Sequence, residues 1–101
     1  VKSVNNSFAS YASQYAGAAR YMLDNDKDLN EALKWINISI SLNETWFNNW
    51  IKAQIFAKQN NYKEALKFAQ KAKELGDKLP NQANFFYKSQ VEKAIAEWSK
   101  K

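Results

Sequence analysis

The sequence predicts an all-α fold of five helices in one domain that spans residues 1–101. Glycine and proline together occur only three times, as Gly17, Gly76 and Pro80, which is too few for the many turns of a β-sandwich or barrel. Apolar residues recur at three- and four-residue steps, the spacing of one helix face. Because 46% of the residues are hydrophobic, the chain has enough apolar surface to form a core. We therefore expect helices joined by short turns, with sequential helices antiparallel.

The first predicted helix covers residues 7–26, with Ser7 as its N-cap. Glycine inside a helix costs about 1 kcal/mol relative to alanine, so we expect a neighbouring helix to cross closely at Gly17. The face expected to pack into the core consists of Phe8, Tyr11, Tyr15, Ala18 and Met22.

The second predicted helix covers residues 28–43. Asp28 precedes Glu31 by three residues, which is the spacing of a capping box. The alternation from Ile36 to Ile40 would by itself indicate a strand. It is overruled because the apolar residues keep a helical step through this run; these residues are Leu29, Leu33, Ile36 and Ile40.

The third and fourth predicted helices cover residues 44–59 and 61–76. Asn43 or Thr45 is the candidate N-cap of the third helix. Gly76 is expected to end the fourth helix as a left-handed C-cap, with Pro80 blocking continuation. The fifth predicted helix, 81–99, starts from Asn81 as cap. Its inward face is predicted to consist of Phe85, Phe86, Val91, Ala94, Ile95 and Trp98.

The second and fourth helices repeat one pattern at an offset of 33 residues. Glu-Ala-Leu-Lys occurs at 31–34 and at 64–67, followed by Trp35 and Phe68 at equivalent positions. A period of this size indicates stacked supersecondary units, each a helix pair here. The segment 46–77 resembles a tetratricopeptide repeat. The residues that carry the resemblance are small or aromatic at the family's packing positions: Ala53, Phe56, Ala65 and Ala72.

This sequence departs from the family pattern at several positions. Asn49 stands at the family's tryptophan position, Lys52 at a leucine position and Asp77 at the terminal proline position. In the first copy, Arg20 occupies the small position of the first helix unless a one-residue gap moves Ala19 into it. The resemblance implies pairs of helices at about 7–43 and 44–76, closed by a capping helix at about 81–99.

The resemblance also implies a concave groove lined by the first helix of each pair. An aromatic, amide and ammonium surface of this kind would hold an extended peptide or a partner helix. Of Trp46, Phe47 and Trp50, which are too close in sequence to face the same way, at least one is expected to meet a partner. The candidate groove residues are Phe47, Trp50, Gln54 and Lys58 in the second pair, and Tyr21 and Tyr87 in the flanking units.

A second resemblance covers residues 20–99. The segments 28–36, 48–50 and 94–98 are similar to the helical C-terminal part of a bacterial envelope-associated family of unknown function. This resemblance implies a preceding β-rich domain and favours a periplasmic or envelope location over the cytoplasm. It implies no chemistry.

The residue types present exclude several kinds of chemistry. The chain has no cysteine and no histidine, which excludes disulfides, thiolate nucleophiles and imidazole acid–base catalysis. Asp24, Asp26 and Asp28 alternate as in a calcium loop, but the glycine and the final glutamate of an EF-hand are missing. We expect an acidic turn instead, and predict no metal, no cofactor and no catalysis.

The charge pattern gives a weak nucleic-acid signal. The net charge of +5 comes from fourteen lysines and one arginine, whereas phosphate-clamping surfaces favour arginine. The row Lys63, Lys67 and Lys71 is expected to be the solvated back of the fourth helix. No apolar run reaches the roughly 18 residues needed to span a bilayer.

We therefore expect an interaction module that binds a protein, a peptide or a neighbouring domain, with nucleic acid unlikely as a partner. The alternative is a helical accessory to a larger exported protein whose active or binding domain lies outside this chain. If Trp50 lines the groove, Trp50→Ala should abolish partner capture and leave thermal stability nearly intact; a core residue would instead lower the Tm.

Overall fold

The computed structural model describes residues 2–25 and 27–101, with side chains from Phe8 onward. These residues form five α-helices and one short 3-10 turn, Gln82–Asn84, and contain no strand, which confirms the all-α prediction. The helices are α1 Lys2–Asp24, α2 Leu29–Leu42, α3 Trp46–Lys58, α4 Tyr62–Asp77 and α5 Lys88–Trp98.

Side-chain caps set the starts of α2 and α3. Asp28 accepts hydrogen bonds from the backbone N–H groups of Asn30 (3.0 Å) and Glu31 (3.3 Å). At α3, Thr45 and Asn48 form a full capping box, in which each side chain accepts from the other residue's backbone N–H. Thr45 is therefore the cap, rather than Asn43, and both helices begin within two residues of the predicted starts.

The turn between α3 and α4 uses two asparagines in succession. Asn60 has a φ of 63°, in the left-handed region that asparagine tolerates better than most residues. Asn61 then caps α4 by accepting from the N–H of Glu64. These two residues reverse the chain within three positions, so α3 and α4 pack as an antiparallel pair.

The 33-residue repeat is visible in the burial of α2 and α4. Ala32, Ile36 and Ser39 have no exposed surface, and neither do their equivalents Ala65, Ala69 and Ala72. In both helices the small residues on this stripe let the first helix of the pair approach closely.

The buried face of α1 is rotated about the helix axis by one residue, about 100°, from the predicted face. Its buried residues are Ala12, Ala16, Ala19 and Leu23. The aromatic residues predicted to be core, Phe8, Tyr11 and Tyr15, are 45%, 53% and 36% exposed, so that expectation was wrong. The alanine stripe is buried because its small side chains allow α1 to lie close to α2 and α3.

Two details of α1 also correct the sequence prediction. The helix begins at Lys2, so Ser7 lies within it and does not cap it. Nothing lies within 4 Å of a Cβ built on Gly17, so no helix crosses there.

The fifth helix begins at Lys88, seven residues later than predicted. Asn81 does act as a cap, but of the 3-10 turn, where it accepts from the N–H of Ala83 at 3.0 Å. Gly76 is not a left-handed C-cap, because it lies within α4 and has no positive φ. Phe85 follows the 3-10 turn, is only 2% exposed and packs directly on Gly76.

The core has two parts that meet at α3. One lies between α1, α2 and α3 and contains Ile36, Ile51 and Ile55. The other lies between α3, α4 and α5 and contains Trp46, Trp50 and Val91, and Phe47 packs against both.

Candidate partner-binding surface

The face formed by α1, α3 and α5 corresponds to the predicted concave groove. Trp50, at its centre, is only 5% exposed because the Trp98 ring of α5 stacks on it, with centroids 5.9 Å apart and planes at 26°. Trp50 is therefore a core residue, and the expectation that it lines an open groove was wrong.

A cation–π contact joins α1 to the start of α5. The Arg20 guanidinium carbon lies 5.7 Å from the centroid of the Tyr87 ring. Arg20 Nε also donates to both carboxylate oxygens of Asp24, at 3.2 and 3.3 Å, which fixes the side chain. This bridge separates two clefts on the same face, one on either side of it.

The first, which we call the apolar cleft, lies between the middle of α1 and the start of α3 and has a volume of about 310 Å³. Phe86, from the segment before α5, forms its outer edge. Its apolar lining consists of Ala12, Ala16, Trp46, Phe47 and Phe86.

The polar groups beneath the apolar cleft are paired with one another. Ser39 Oγ donates to the carbonyl of Ala12 at 2.6 Å and accepts from Asn48 Nδ2 at 3.1 Å. The same amide nitrogen donates to the Asn43 carbonyl at 2.9 Å, and Asn48 Oδ1 accepts from the Thr45 N–H. Because these groups satisfy one another, the lining presents mainly apolar surface to an occupant.

Trp46 organises the aromatic residues at this cleft. The centroids of Phe47, Phe86 and Tyr87 lie 5.5, 5.2 and 6.0 Å from it, all near-perpendicular, and that of Phe85 lies 5.0 Å away. Phe86 is held edge-to-face yet remains 64% exposed. A large apolar ring is thus fixed in place and accessible.

The second, which we call the polar cleft, lies between the C-terminal ends of α1, α3 and α5, with a volume of about 440 Å³. Gln54 Oε1 is buried and has no hydrogen-bond partner among the described residues. Lys58 is exposed at the rim and takes part in an interaction of its own. The cleft is lined by Leu23, Asp24, Gln54, Ala57, Lys58, Tyr62, Glu97 and Trp98.

The structure thus places the six predicted groove residues in five different settings. Phe47 lines the apolar cleft, and Gln54 and Lys58 line the polar cleft. Tyr87 forms the bridge between the clefts, and Trp50 is core. Tyr21 is 61% exposed and lines neither cleft.

Sequence reasoning missed three residues of this face: Arg20, Phe86 and Trp98. Arg20 could have been found by accepting the one-residue gap in the repeat, which places Ala19 opposite Ala53 and Arg20 opposite Gln54. Ala19 and Ala53 are both fully buried, as that alignment requires. No sequence pattern marked Phe86 as exposed, because it was assigned to the inward side of a longer fifth helix.

A second exposed aromatic surface lies on the outer side of α1. We call Phe8, Tyr11 and Tyr15 the α1 aromatic stripe. The Tyr15 ring meets Trp35 of α2 edge-on, with centroids 6.2 Å apart. The stripe lies one residue round the helix from the buried alanines, so it faces away from α3.

An ion-pair network holds α5 against α4. Asp77 accepts from Lys73 Nζ at 2.6 Å and lies 3.4 Å from Lys88 Nζ, while Lys73 Nζ is 3.7 Å from Glu92. The hydrogen bond from Lys73 lowers the pKa of Asp77 below its ordinary value, and the same bond raises the pKa of Lys73.

The acidic side chains of the described residues form no group of three or more placed to hold a metal ion. None of the described helices has both the length and the apolar character that crossing a bilayer requires.

Comparison with protein-family models, curated proteins and solved structures found no match to this chain. The two resemblances drawn from the sequence therefore remain predictions.

Proposed function

We propose that this chain is a protein–protein or interdomain interaction module that carries out no catalysis of its own, and that the apolar cleft is its principal contact surface. The observation that carries the proposal is Phe86, which is 64% exposed although Trp46 holds its ring edge-to-face at 5.2 Å. An exposed, ordered aromatic ring beside an apolar cleft is typical of the centre of a protein interface.

The polar groups under the cleft favour an apolar anchor. Ser39 and Asn48 already use their hydrogen bonds within the fold. An inserted leucine or aromatic side chain would lose nothing there, whereas an inserted polar group would be buried without a partner. We infer that the partner presents a large apolar side chain, in an extended peptide, a helix or a neighbouring domain.

The polar cleft would contribute orientation. The buried Oε1 of Gln54 accepts no hydrogen bond among the described residues, and rotation of this cleft-lining side chain would let a donor from the partner satisfy it. From Phe47 to Gln54 the axial distance along α3 is about 10 Å, at about 1.5 Å per residue. A partner of three or four extended residues would reach from one cleft to the other.

The experiment is to select peptides against the folded protein from a random library and to measure their affinity by calorimetry. Phe86→Ala is expected to weaken binding at least tenfold and leave the Tm unchanged, because the ring is mostly exposed. Phe8→Ala, which removes an exposed ring from the α1 aromatic stripe, is the matched control and should bind normally. Peptides whose affinity is the same for Phe86→Ala would contradict the proposal.

The residue types and their pairing favour binding over chemistry. The chain lacks histidine and cysteine, which supply most general bases and thiolate nucleophiles. The carboxylate with a lowered pKa, Asp77, is occupied by Lys73 and Lys88 in holding α5 on α4. This ion pair stabilises the packing of α5 on α4.

The second candidate function is that of a helical accessory to a larger exported protein, and the α1 aromatic stripe favours it. Phe8, Tyr11 and Tyr15 form a row of exposed rings on α1, the first helix of the array. A terminal repeat normally presents a polar outer face, so such a row is suited to cover by another domain. Under this proposal the double variant Phe8→Ala, Tyr11→Ala would release the neighbouring domain, detected as a gain of proteolytic sensitivity, whereas Phe86→Ala would not.

A further inference from the structure

Two lysine side chains from different helices converge on one aromatic ring. Lys52 Nζ of α3 lies 4.2 Å from the centroid of Phe68, and Lys67 Nζ of α4 lies 5.3 Å from the same centroid. The ring itself is fixed, because Phe56 stacks on it with centroids 5.8 Å apart and planes at 16°. Both ammonium groups therefore lie within 5.3 Å of the centre of one ring, and the charge of Lys67 acts on Lys52.

The carboxylates near this pair do not neutralise it. Among the described residues neither Lys52 nor Lys67 forms an ion pair. Glu44 is occupied by Lys71, at 3.5 Å, and by the amide of Asn49, at 3.1 Å.

The local charge is positive overall. Lys63 and Lys71 flank Lys67 by one helical turn on either side. Together with Lys52 they give this region four ammonium groups, against two carboxylates, Glu44 and Glu64. The pKa of Lys52 is lowered, first by its burial and then by the charge of Lys67, while Glu64 and Glu44 act in the opposite direction. A bound anion would relieve the repulsion between the two ammonium groups.

We propose that Lys52 and Lys67, held over the ring of Phe68, form a binding site for a phosphate group. A phosphate dianion carries two negative charges and several acceptor oxygens, so it can accept from both ammonium groups at once. A carboxylate carries one charge and matches the local surplus less well. The net charge of +5 attracts small anions to the protein in general, and this pair supplies the fixed contact.

The site is independent of the proposed partner surface. Lys52 lies two residues after Trp50, which is about 200° around α3 at about 100° per residue. Because Trp50 faces Trp98 of α5, Lys52 lies on the other side of α3, where it contacts Phe68 of α4. Phosphate and a peptide partner would therefore bind without competing for a surface.

The test follows the Lys side-chain signals by NMR during titration with inorganic phosphate, with sodium chloride used to keep the ionic strength constant. We expect saturable shifts of the Lys52 and Lys67 signals and a rise of the Lys52 pKa on binding, since the anion favours the charged amine. Lys67→Gln should weaken phosphate binding about tenfold, the effect of losing one close charge near the surface. Lys93→Gln, which removes the same charge from exposed α5, should bind within about twofold of wild type.

A second titration with N-acetylphosphoserine amide distinguishes free phosphate from a phosphorylated side chain as the source of the bound phosphate group. Equal binding of both compounds assigns the site to phosphate itself, and binding of the ester alone assigns it to a phosphorylated side chain. The proposal is overturned if neither compound gives saturable shifts, if chloride alone reproduces the shifts, or if Lys93→Gln weakens binding as much as Lys67→Gln.

Discussion

The ring of Phe85 occupies the space that a side chain on Gly76 would fill. A Cβ built on Gly76 would lie 2.5 Å from both Cδ2 and Cε2 of that ring. This contact explains why α4 carries a glycine in its last turn. Phe85, which directly precedes Phe86 and Tyr87, packs against the space left by the missing β-carbon.

We expect Gly76→Ala to lower the Tm even though alanine is the better helix former. The gain in helix propensity is about 1 kcal/mol, and overpacking against an immobile ring costs about 1–3 kcal/mol. Gly17→Ala is the matched control, because a Cβ there meets nothing within 4 Å, and it should raise the Tm. Thermal unfolding followed by circular dichroism measures both. A Gly76→Ala protein as stable as Gly17→Ala would show that Phe85 is not packed on Gly76.

Trp50→Ala is expected to destabilise the fold by about 3–5 kcal/mol, since it empties the space between α3 and Trp98. Urea unfolding measures the change. Tyr21→Ala, which removes a ring that is 61% exposed, should change the free energy of unfolding by less than about 0.5 kcal/mol. Near-equal stabilities of the two variants would show that Trp50 is exposed, as the sequence predicted, and not part of the core.

Ser39→Ala is expected to cost about 1–3 kcal/mol, because it removes two buried hydrogen bonds, one to the Ala12 carbonyl and one from the Asn48 amide, each of which contributes about 0.5–1.5 kcal/mol. Ser41→Ala removes an exposed hydroxyl that donates to the Ile38 carbonyl, and should be nearly neutral. The comparison is made by thermal unfolding. Equal effects of the two substitutions would mean that the polar network beneath the apolar cleft does not stabilise the junction of α1, α2 and α3.

The ion pair between Lys73 and Asp77 predicts a loss of stability at both ends of the pH scale. The pKa of Asp77 is lowered in the folded state, so its contribution is complete above the unfolded pKa and is lost as the pH falls through the folded pKa. The pKa of Lys73 is raised, so its contribution is complete below the unfolded pKa and is lost as the pH rises through the folded pKa.

The measurement is the Tm of wild type and Asp77→Asn as a function of pH. The difference should be largest near neutral pH and shrink in acid, when the wild-type carboxyl becomes protonated. Glu74→Gln, which breaks a single exposed pair at 3.6 Å with Lys78, should show a smaller difference. A Tm difference for Asp77→Asn that is constant into strong acid would contradict this assignment.

Local sequence signals predicted much of the fold. Asp28 and Thr45 indicated two helix starts, and the tetratricopeptide resemblance placed Ala65 and Ala72 at packing positions, where both are fully buried. The inward face of α1 was misjudged because large aromatic residues outweighed alanines in the pattern, while close helix packing requires the small ones. The late start of α5 was not predicted, because Asn81 caps the 3-10 turn Gln82–Asn84 and not α5 itself.

The sequence grouped the candidate residues of α3 on one side of that helix, but it did not predict which of them are covered by other helices. The tetratricopeptide resemblance placed Phe47 and Gln54 on one side of α3, where they line the apolar and the polar cleft. The same resemblance put Trp50 there, and only the position of α5, set by tertiary packing, covers it with Trp98. The exposure of Phe86 could not be predicted from the sequence, because the segment before α5 was expected to be helical and is not.

The most direct test of the proposed interaction surface is photo-cross-linking in the living host. The photoreactive analogue p-benzoylphenylalanine is placed at position 86, which replaces an exposed ring by a larger one at the edge of the apolar cleft, and at Lys93 as an exposed control on α5. We expect irradiation to yield a discrete covalent adduct from position 86, with a partner protein or with a neighbouring domain, and none from position 93. No adduct at position 86 above the level at position 93 would contradict the assignment of the apolar cleft as the contact surface.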